Sequence, residues 1–294
     1  MQGSLLWVYE GGTQFFGYLL QARAGLVSKQ DTLDQYAGIM ASYDVAPARQ
    51  WRDLLDTTND PTISQRRPKG WVSWQRSEDY YNEGLLVWMD VDSILRERSG
   101  GAKSIDDFAR AFFGVRDGDW GELTYTFDDV VATLNGVQPY DWAGFLRQRL
   151  YEVGKPAPID GFEKNGYKLV YTDVPPKGAT RGVERGGANF LDSLGLSANS
   201  EGNLTQVIWA SPAFKAGLDT GDSIVAVGDQ AYNADRLKEA VTAAKGNREP
   251  IRLTVKGHDR VREVAIDYHG GLRYPHLQKI GTGETGLDRL LAPK

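Results

Sequence analysis

The hydrophobic pattern changes at residues 154–158, and this change constrains the fold more than any other feature of the sequence. The segment reads GKPAP, and Gly and Pro at this density interrupt regular structure. Before it, apolar residues recur at helical spacing, whereas after it short runs alternate with turn residues, as strands do. The pattern predicts a helical unit over 1–153, a linker over 154–160 and a β-rich unit beyond.

Several helices are predicted in the first unit. Apolar residues of 5–24 share one helical face, Asp31 is expected to cap a second helix, and a long helix is predicted over 77–98. Capping boxes are predicted to open two shorter helices, with Ser104 paired to Asp107 and Thr126 to Asp129. In the second unit, strands are predicted at 167–171, 207–209, 223–227 and 251–255, with one helix over 234–245.

Composition excludes several classes of protein. Hydrophobic residues make up 41% and charged residues 25%, which are globular values. With a net charge of −5, the chain has no basic footprint for nucleic acid. No apolar run approaches the length of a membrane span, and the absence of cysteine excludes disulfides and thiolate metal sites. A globular protein without a nucleic-acid partner or a transmembrane segment is predicted.

The segment WVYEGGTQFFG at 7–17 is the most informative stretch. Glu10 lies inside an aromatic, apolar helix, where an isolated carboxylate is costly to bury unless it is paired or bound to a metal. The glycines at 11, 12 and 17 permit another backbone to approach closely. Spacing alone leaves two interpretations open, a solvated or ion-paired Glu, which is the commoner case, and a metal ligand.

This segment resembles the W-x-x-E-G-x-T-x-Y-x-G motif of glycyl aminopeptidases, relatives of the thermolysin-like peptidases. In that family the Glu is the third zinc ligand, after two His of an H-E-x-x-H helix, so the resemblance implies that Glu10 is a zinc ligand. Phe15 stands where the family has Tyr. The chain has no H-E-x-x-H, and its histidines are His258, His269 and His276. We expect zinc in an intact parent protein, but neither bound zinc nor hydrolysis by this chain alone.

A second family segment, YYNEG, lies at 80–84. By itself it reads as an aromatic, charged helix start packed against a helical bundle. The resemblance implies instead that the Tyr81 hydroxyl donates to the oxyanion of the tetrahedral intermediate. Glu83 stands where the family often has Lys, which leaves its role open. Further family-like segments at 55–61, 88–92 and 106–114 extend the likeness, and their acids, such as Asp90 and Asp92, are expected to cap or pair locally.

The segment SPAFKAGLDTGDSIVAVG at 211–228 resembles the signature of bacterial PDZ domains. The resemblance implies a PDZ domain over 161–270 and a C-terminal tail over 271–294. PDZ domains add a C-terminal peptide beside a sheet edge and hold its carboxylate with backbone N–H groups. The expected peptide-binding residues are Ser193, Leu194, Gly195 and Leu196 in the carboxylate loop, and Leu237 and Val241 on the following helix. Alternatively, the domain packs against the first unit and binds nothing.

Together these resemblances imply a multi-domain α + β fold, in which the mainly helical C-terminal part of a thermolysin-like peptidase domain precedes a PDZ domain, a small β-barrel or sandwich with two helices. The predicted function is the C-terminal portion of a zinc-dependent aminopeptidase that releases Gly or Ala from peptides, inactive as this fragment. The alternative is a PDZ-containing peptide-binding module without catalysis. Met1 is expected to be internal to a longer protein, and the family suggests a periplasmic location, or otherwise a cytoplasmic one.

Overall fold

The computed structural model describes residues 3–64, 70–177 and 187–293. They form two hydrophobic cores, one mainly helical and one mainly β, so the predicted mixture of helices and strands is confirmed. No helix in the described ranges combines the length and the apolar character needed to cross a bilayer. The helices are α1 (Leu6–Arg23), α2 (Lys29–Asp44), α3 (Asp60–Ile63), α4 (Val72–Gln75), α5 (Asn82–Arg98), α6 (Ile105–Phe112), α7 (Phe127–Val137), α8 (Trp142–Tyr151), α9 (Asp160–Lys164), α10 (Pro212–Lys215), α11 (Ala234–Ala243) and α12 (Gly286–Leu291).

The strands form antiparallel sheets. One pairs β1 with β9, a second has the order β2-β3-β4, and a third has the order β6-β5-β7-β8. The strands are β1 (Tyr167–Thr172), β2 (Ala188–Phe190), β3 (Leu196–Ala198), β4 (Leu204–Val207), β5 (Ser223–Val227), β6 (Gln230–Ala231), β7 (Ile251–Gly257), β8 (Arg260–Ile266) and β9 (Tyr274–Lys279).

Helices α1 and α5 cross closely at a pair of glycines. A Cβ placed on Gly11 would lie 2.8 Å from the Cα of Gly84, and one on Gly84 would lie 2.9 Å from the Cα of Gly11. Only residues without side chains allow two helix backbones to approach this closely. Next to the crossing, the rings of Trp7 and Trp88 stack with centroids 5.7 Å apart, and the Trp88 indole N–H donates to the Trp7 carbonyl.

The predicted helix starts are partly right. Ser104 and Thr126 open α6 and α7 with capping boxes, as expected. Helix α2 begins one turn earlier than predicted, because the Ser28 hydroxyl, rather than Asp31, accepts from a first-turn N–H. Helix α5 begins at Asn82 rather than at residue 77, since the preceding residues form a turn after Arg76, which has a left-handed φ of +59°.

The two acids of α5 that were expected to cap or pair locally are fully buried, and Asp92 does pair on its own helix, whereas Asp90 pairs with a residue of α8. Asp92 accepts from the Ile105 backbone N–H at 2.9 Å and pairs with Arg96 at 2.7 Å. Asp90 pairs with Arg149 at 2.7 Å, although burial raises the pKa of the Asp90 carboxyl to about 7. Both carboxylates therefore serve the packing of the helical core.

The division into units differs from the predicted boundaries. Strand β1, placed by the sequence in the second unit, pairs with β9 from the predicted tail. Tyr167 of β1, Leu277 of β9 and Leu287 of α12 all lie in the first core. The Tyr167 hydroxyl also donates to Asp288 at 2.8 Å. The end of the chain therefore completes the helical unit, because its apolar side chains are buried there.

An aromatic cluster joins the two cores. Trp71, which precedes α4, and Trp74 within it contact Trp209 of the second unit, each with ring centroids 5.4 Å apart. Phe214 packs on Trp209 at 4.4 Å, and the backbone N–H of Trp209 donates to Ser73 at 2.9 Å. These contacts hold the β-rich unit against the α4–α5 region of the helical unit.

Candidate active site

Glu10 lies in the first half of α1 and is half-buried. Within the described ranges, its carboxylate has no hydrogen-bond or ion-pair partner. Gln14, one turn further along the helix, donates to the Asn82 side chain at 2.9 Å. Because residues four apart share a helix face, Glu10 is on the side of α1 that faces the start of α5.

The predicted catalytic tyrosine lies at that start. Tyr81 is half-buried at the residue preceding α5, whereas Tyr80 is only 1% exposed. A Cβ on Gly11 would lie 2.8 Å from the Tyr80 carbonyl oxygen. Glu10 is next to Gly11 and Tyr81 is next to Tyr80, the two residues whose backbones meet. The crossing of α1 and α5 therefore brings the segments of Glu10 and Tyr81 together.

A buried ionic network fixes the first turn of α5, and the sequence prediction did not find it. Glu83 is fully buried and pairs with both Arg49 and Arg76, while Arg76 also pairs with Asp79 at 2.7 Å. Burial, reinforced by the neighbouring Arg76, lowers the pKa of Arg49 to about 10. One feature of the sequence could have indicated this network. Position 83 has Glu where the family that the segment resembles often has Lys, and a carboxylate buried there needs cationic partners nearby.

A cavity of about 580 Å³ opens between the two units beside this network. Asn82, which accepts from Gln14, lines it together with Asp79 of the helical unit and Asp192 of the β-rich unit. Burial raises the pKa of Asp192 to about 6, against the opposing effect of Arg273, and also raises the pKa of Asp79. The cavity is therefore lined by both acidic and basic side chains, with Arg49 and Arg76 beside Asp79, next to the predicted catalytic segment.

The described residues do not provide a complete zinc site at Glu10. In the ranges described, only one group of three side chains could hold a metal ion together, and it consists of Asp219, Asp222 and His258 in the β-rich unit. Of the other histidines, His269 contacts Asp267, and His276 contacts the carbonyl of Val174. A catalytic zinc usually has three protein ligands, and Glu10 would be one of them.

The predicted peptide-binding residues come together in the second core. The four apolar ones, Leu194, Leu196, Leu237 and Val241, are fully buried there. The Ser193 hydroxyl accepts from the Arg273 backbone N–H at 3.0 Å, and Gly195 has a left-handed φ of +78°. Strand β3 follows the predicted carboxylate loop, and its two edges pair with β2 and β4. Peptide binding at these residues stays a prediction, and it requires β2 to move.

Comparisons with known proteins agree with the aminopeptidase resemblance. The family model described as M61 glycyl aminopeptidase matches residues 1–87, which include Glu10 and Tyr81. No curated protein gives a significant match. The crystal structure of an aminopeptidase N family protein from Idiomarina loihiensis superposes with a TM-score of 0.69 at 18% identity, over 99% of this chain and 49% of that one. The chain thus spans about half the length of this structural relative. Residues 1–87 are similar in sequence to M61 glycyl aminopeptidases, and nearly the whole chain is similar in fold to about half of this aminopeptidase N family protein.

Proposed function

We propose that the chain forms the C-terminal portion of a zinc-dependent aminopeptidase that releases small N-terminal residues, such as Gly or Ala, from peptides. The observation that supports it most is the crossing of α1 and α5 at Gly11 and Gly84, inside the segment that matches M61 peptidases. At this crossing, Glu10 and Tyr81 have the residue types needed for a metal ligand and an oxyanion donor. The alternating burial of Tyr80 and Tyr81 favours Tyr81 as the residue that reaches substrate.

Glu10 would bind the zinc through its carboxylate, and histidines from polypeptide outside these residues would supply the remaining ligands. A half-buried carboxylate without an ionic partner suits this role, because it has no ion pair to break when it binds a cation. When bound, zinc polarises the scissile carbonyl and activates a water molecule.

Tyr81 would donate its hydroxyl proton in a hydrogen bond to the oxygen of the reacting carbonyl as negative charge develops there. Such donors are effective only when they are held in place before the reaction. The paired arginines around Glu83 hold the first turn of α5 and thereby support the position of Tyr81.

The test uses this chain extended upstream through an in-frame H-E-x-x-H segment. We expect one zinc per extended chain and release of glycine from glycyl peptides. Glu10→Gln is expected to lose the zinc, whereas Glu97→Gln, an exposed control on α5, keeps it. Tyr81→Phe should keep the zinc and lower kcat about 10²- to 10³-fold, with the neighbouring Tyr80→Phe as its control. Retention of zinc by Glu10→Gln, or an unchanged kcat in Tyr81→Phe, would refute the assignment.

The second candidate function is a PDZ-containing peptide-binding module without catalysis. It is favoured by β2, which pairs with β3 and packs against α11 in the manner of an added peptide strand. An in-frame stop codon directly upstream of Met1, together with peptide binding by the chain, would select this function over the peptidase.

A further inference from the structure

Strand β2 occupies the position that an added peptide would need. It runs antiparallel to β3, with Phe190 opposite Leu196 and Ala188 opposite Ala198, while β4 pairs with the other edge of β3. Both edges of β3 are therefore used. A peptide can add to this strand only if β2 leaves it, because a strand has two hydrogen-bonding edges.

The carbonyl of Phe190 is held as a terminal carboxylate would be. It accepts from the backbone N–H of Ser193 at 3.1 Å and from that of Gly195 at 2.9 Å. Peptide-binding domains of this kind use such convergent backbone N–H groups to hold the ligand's C-terminal carboxylate. The conformation of the loop before β3 requires glycine at position 195, because Gly195 has a left-handed φ of +78° and a side chain there would collide with Ser211.

The side chains of β2 alternate as those of a bound strand do. Phe190 and Ala188 are 4% and 3% exposed and lie in the same core as Leu237 and Val241 of α11. Asn189, between them, is exposed and lines the cavity between the two units. Backbone pairing, carbonyl position and side-chain burial thus all match a peptide whose last residue is Phe190.

We propose that Ala188–Phe190 is an internal ligand of the β-rich unit, and that an external peptide with a free carboxylate and a large apolar last residue competes with it. An internal strand competes at an effective concentration of millimolar order, so it strongly lowers the apparent affinity for external peptides. Displacing β2 would also move Asn189 away from the wall of the cavity, so that peptide binding would reshape the space beside the predicted active site.

The first test measures peptide binding to the whole chain by fluorescence polarisation. The probe is a fluorescein-labelled octapeptide ending in Ala-Asn-Phe with a free carboxylate, and its control is the same peptide with a C-terminal amide. We expect weak binding to the wild type and at least about tenfold tighter binding to Phe190→Ala, because the internal side chain no longer fills the pocket. The amide is expected to bind at least about tenfold more weakly to this variant. An unchanged affinity in folded Phe190→Ala would overturn the proposal.

The second test locks β2 in place and does not depend on removing a core side chain. Asn189 and Ser197 lie opposite each other, and the chain has no cysteine, so Asn189→Cys with Ser197→Cys introduces a single possible disulfide. The reduced double variant should bind the probe as the wild type does, and oxidation should abolish binding. Equal binding by the oxidised and reduced forms would overturn the proposal, as would the absence of binding in every form, because β2 would then be a permanent strand.

Discussion

Substitution of Gly11 by Ala tests the helix crossing on which the proposed site depends. The new Cβ would lie 2.8 Å from both the Gly84 Cα and the Tyr80 carbonyl oxygen, and these backbone atoms cannot rotate away. Overpacking of this kind costs about 1–3 kcal/mol, and a cost of about 3 kcal/mol is expected here because both contacts are with backbone atoms. Ala has a higher helix propensity than Gly, which offsets this cost by about 1 kcal/mol. We therefore expect Gly11→Ala to lower the free energy of unfolding by about 2 kcal/mol.

The matched control is on the same helix. Gly17 is exposed, and apart from its chain neighbours and the backbone of its own helix, no described atom lies within 4 Å of the place its methyl group would take. Gly17→Ala should therefore raise the free energy of unfolding by about 0.5–1 kcal/mol. Urea unfolding followed by far-UV circular dichroism would measure both variants, with an expected difference of about 3 kcal/mol between them. If Gly11→Ala proves as stable as Gly17→Ala, α1 and α5 do not approach each other as described.

The other predictions concern a partly exposed carboxylate, Asp288, and a fully buried one, Glu83. Although burial opposes them, hydrogen bonds from Lys279 and Lys29 hold the pKa of Asp288 far below its usual range. The stabilising effect of Asp288 is therefore present above the carboxyl pKa of the unfolded chain, about 4, and is lost as the pH falls below it. Asp288→Asn should cost about 2 kcal/mol in urea unfolding at neutral pH and progressively less under acid conditions, and a pH-independent cost would contradict this. Glu83→Gln should cost about 3–5 kcal/mol, because Arg49 and Arg76 lose their buried partner. Glu83→Lys should prevent folding, as judged by circular dichroism, and a stable Glu83→Lys protein would show that the network does not hold α5.

Local chemistry made several elements predictable from the sequence. The pairs Ser104 with Asp107 and Thr126 with Asp129 open helices because a capping box satisfies backbone N–H groups within four residues. The start of α2 was missed because Ser28 and Asp31 are both good caps, and only the structure decides which hydroxyl or carboxylate accepts.

Non-local pairing could not be predicted in the same way. Nothing local in β9 identifies β1 as its partner, since the two strands are separated by the whole β-rich unit, and the segment was therefore interpreted as a tail. Strand β2 has three residues, too few for a strand pattern, and no local signal indicates that it fills the predicted peptide position. Glu83 was noticed, but its partners lie on separate segments that only folding brings together.

The pairing of β1 with β9 has a consequence for the architecture. Thr172 is the last residue of β1 and lies directly opposite Tyr274, the first residue of β9. The residues between them therefore form an insertion whose two ends join the helical unit at neighbouring points. Directly opposed residues in antiparallel strands have Cα atoms about 5 Å apart, a gap that a short hairpin turn can close. The β-rich unit is thus an insertion between two paired strands of the helical unit, and a short turn from Thr172 to Tyr274 could take its place in the chain.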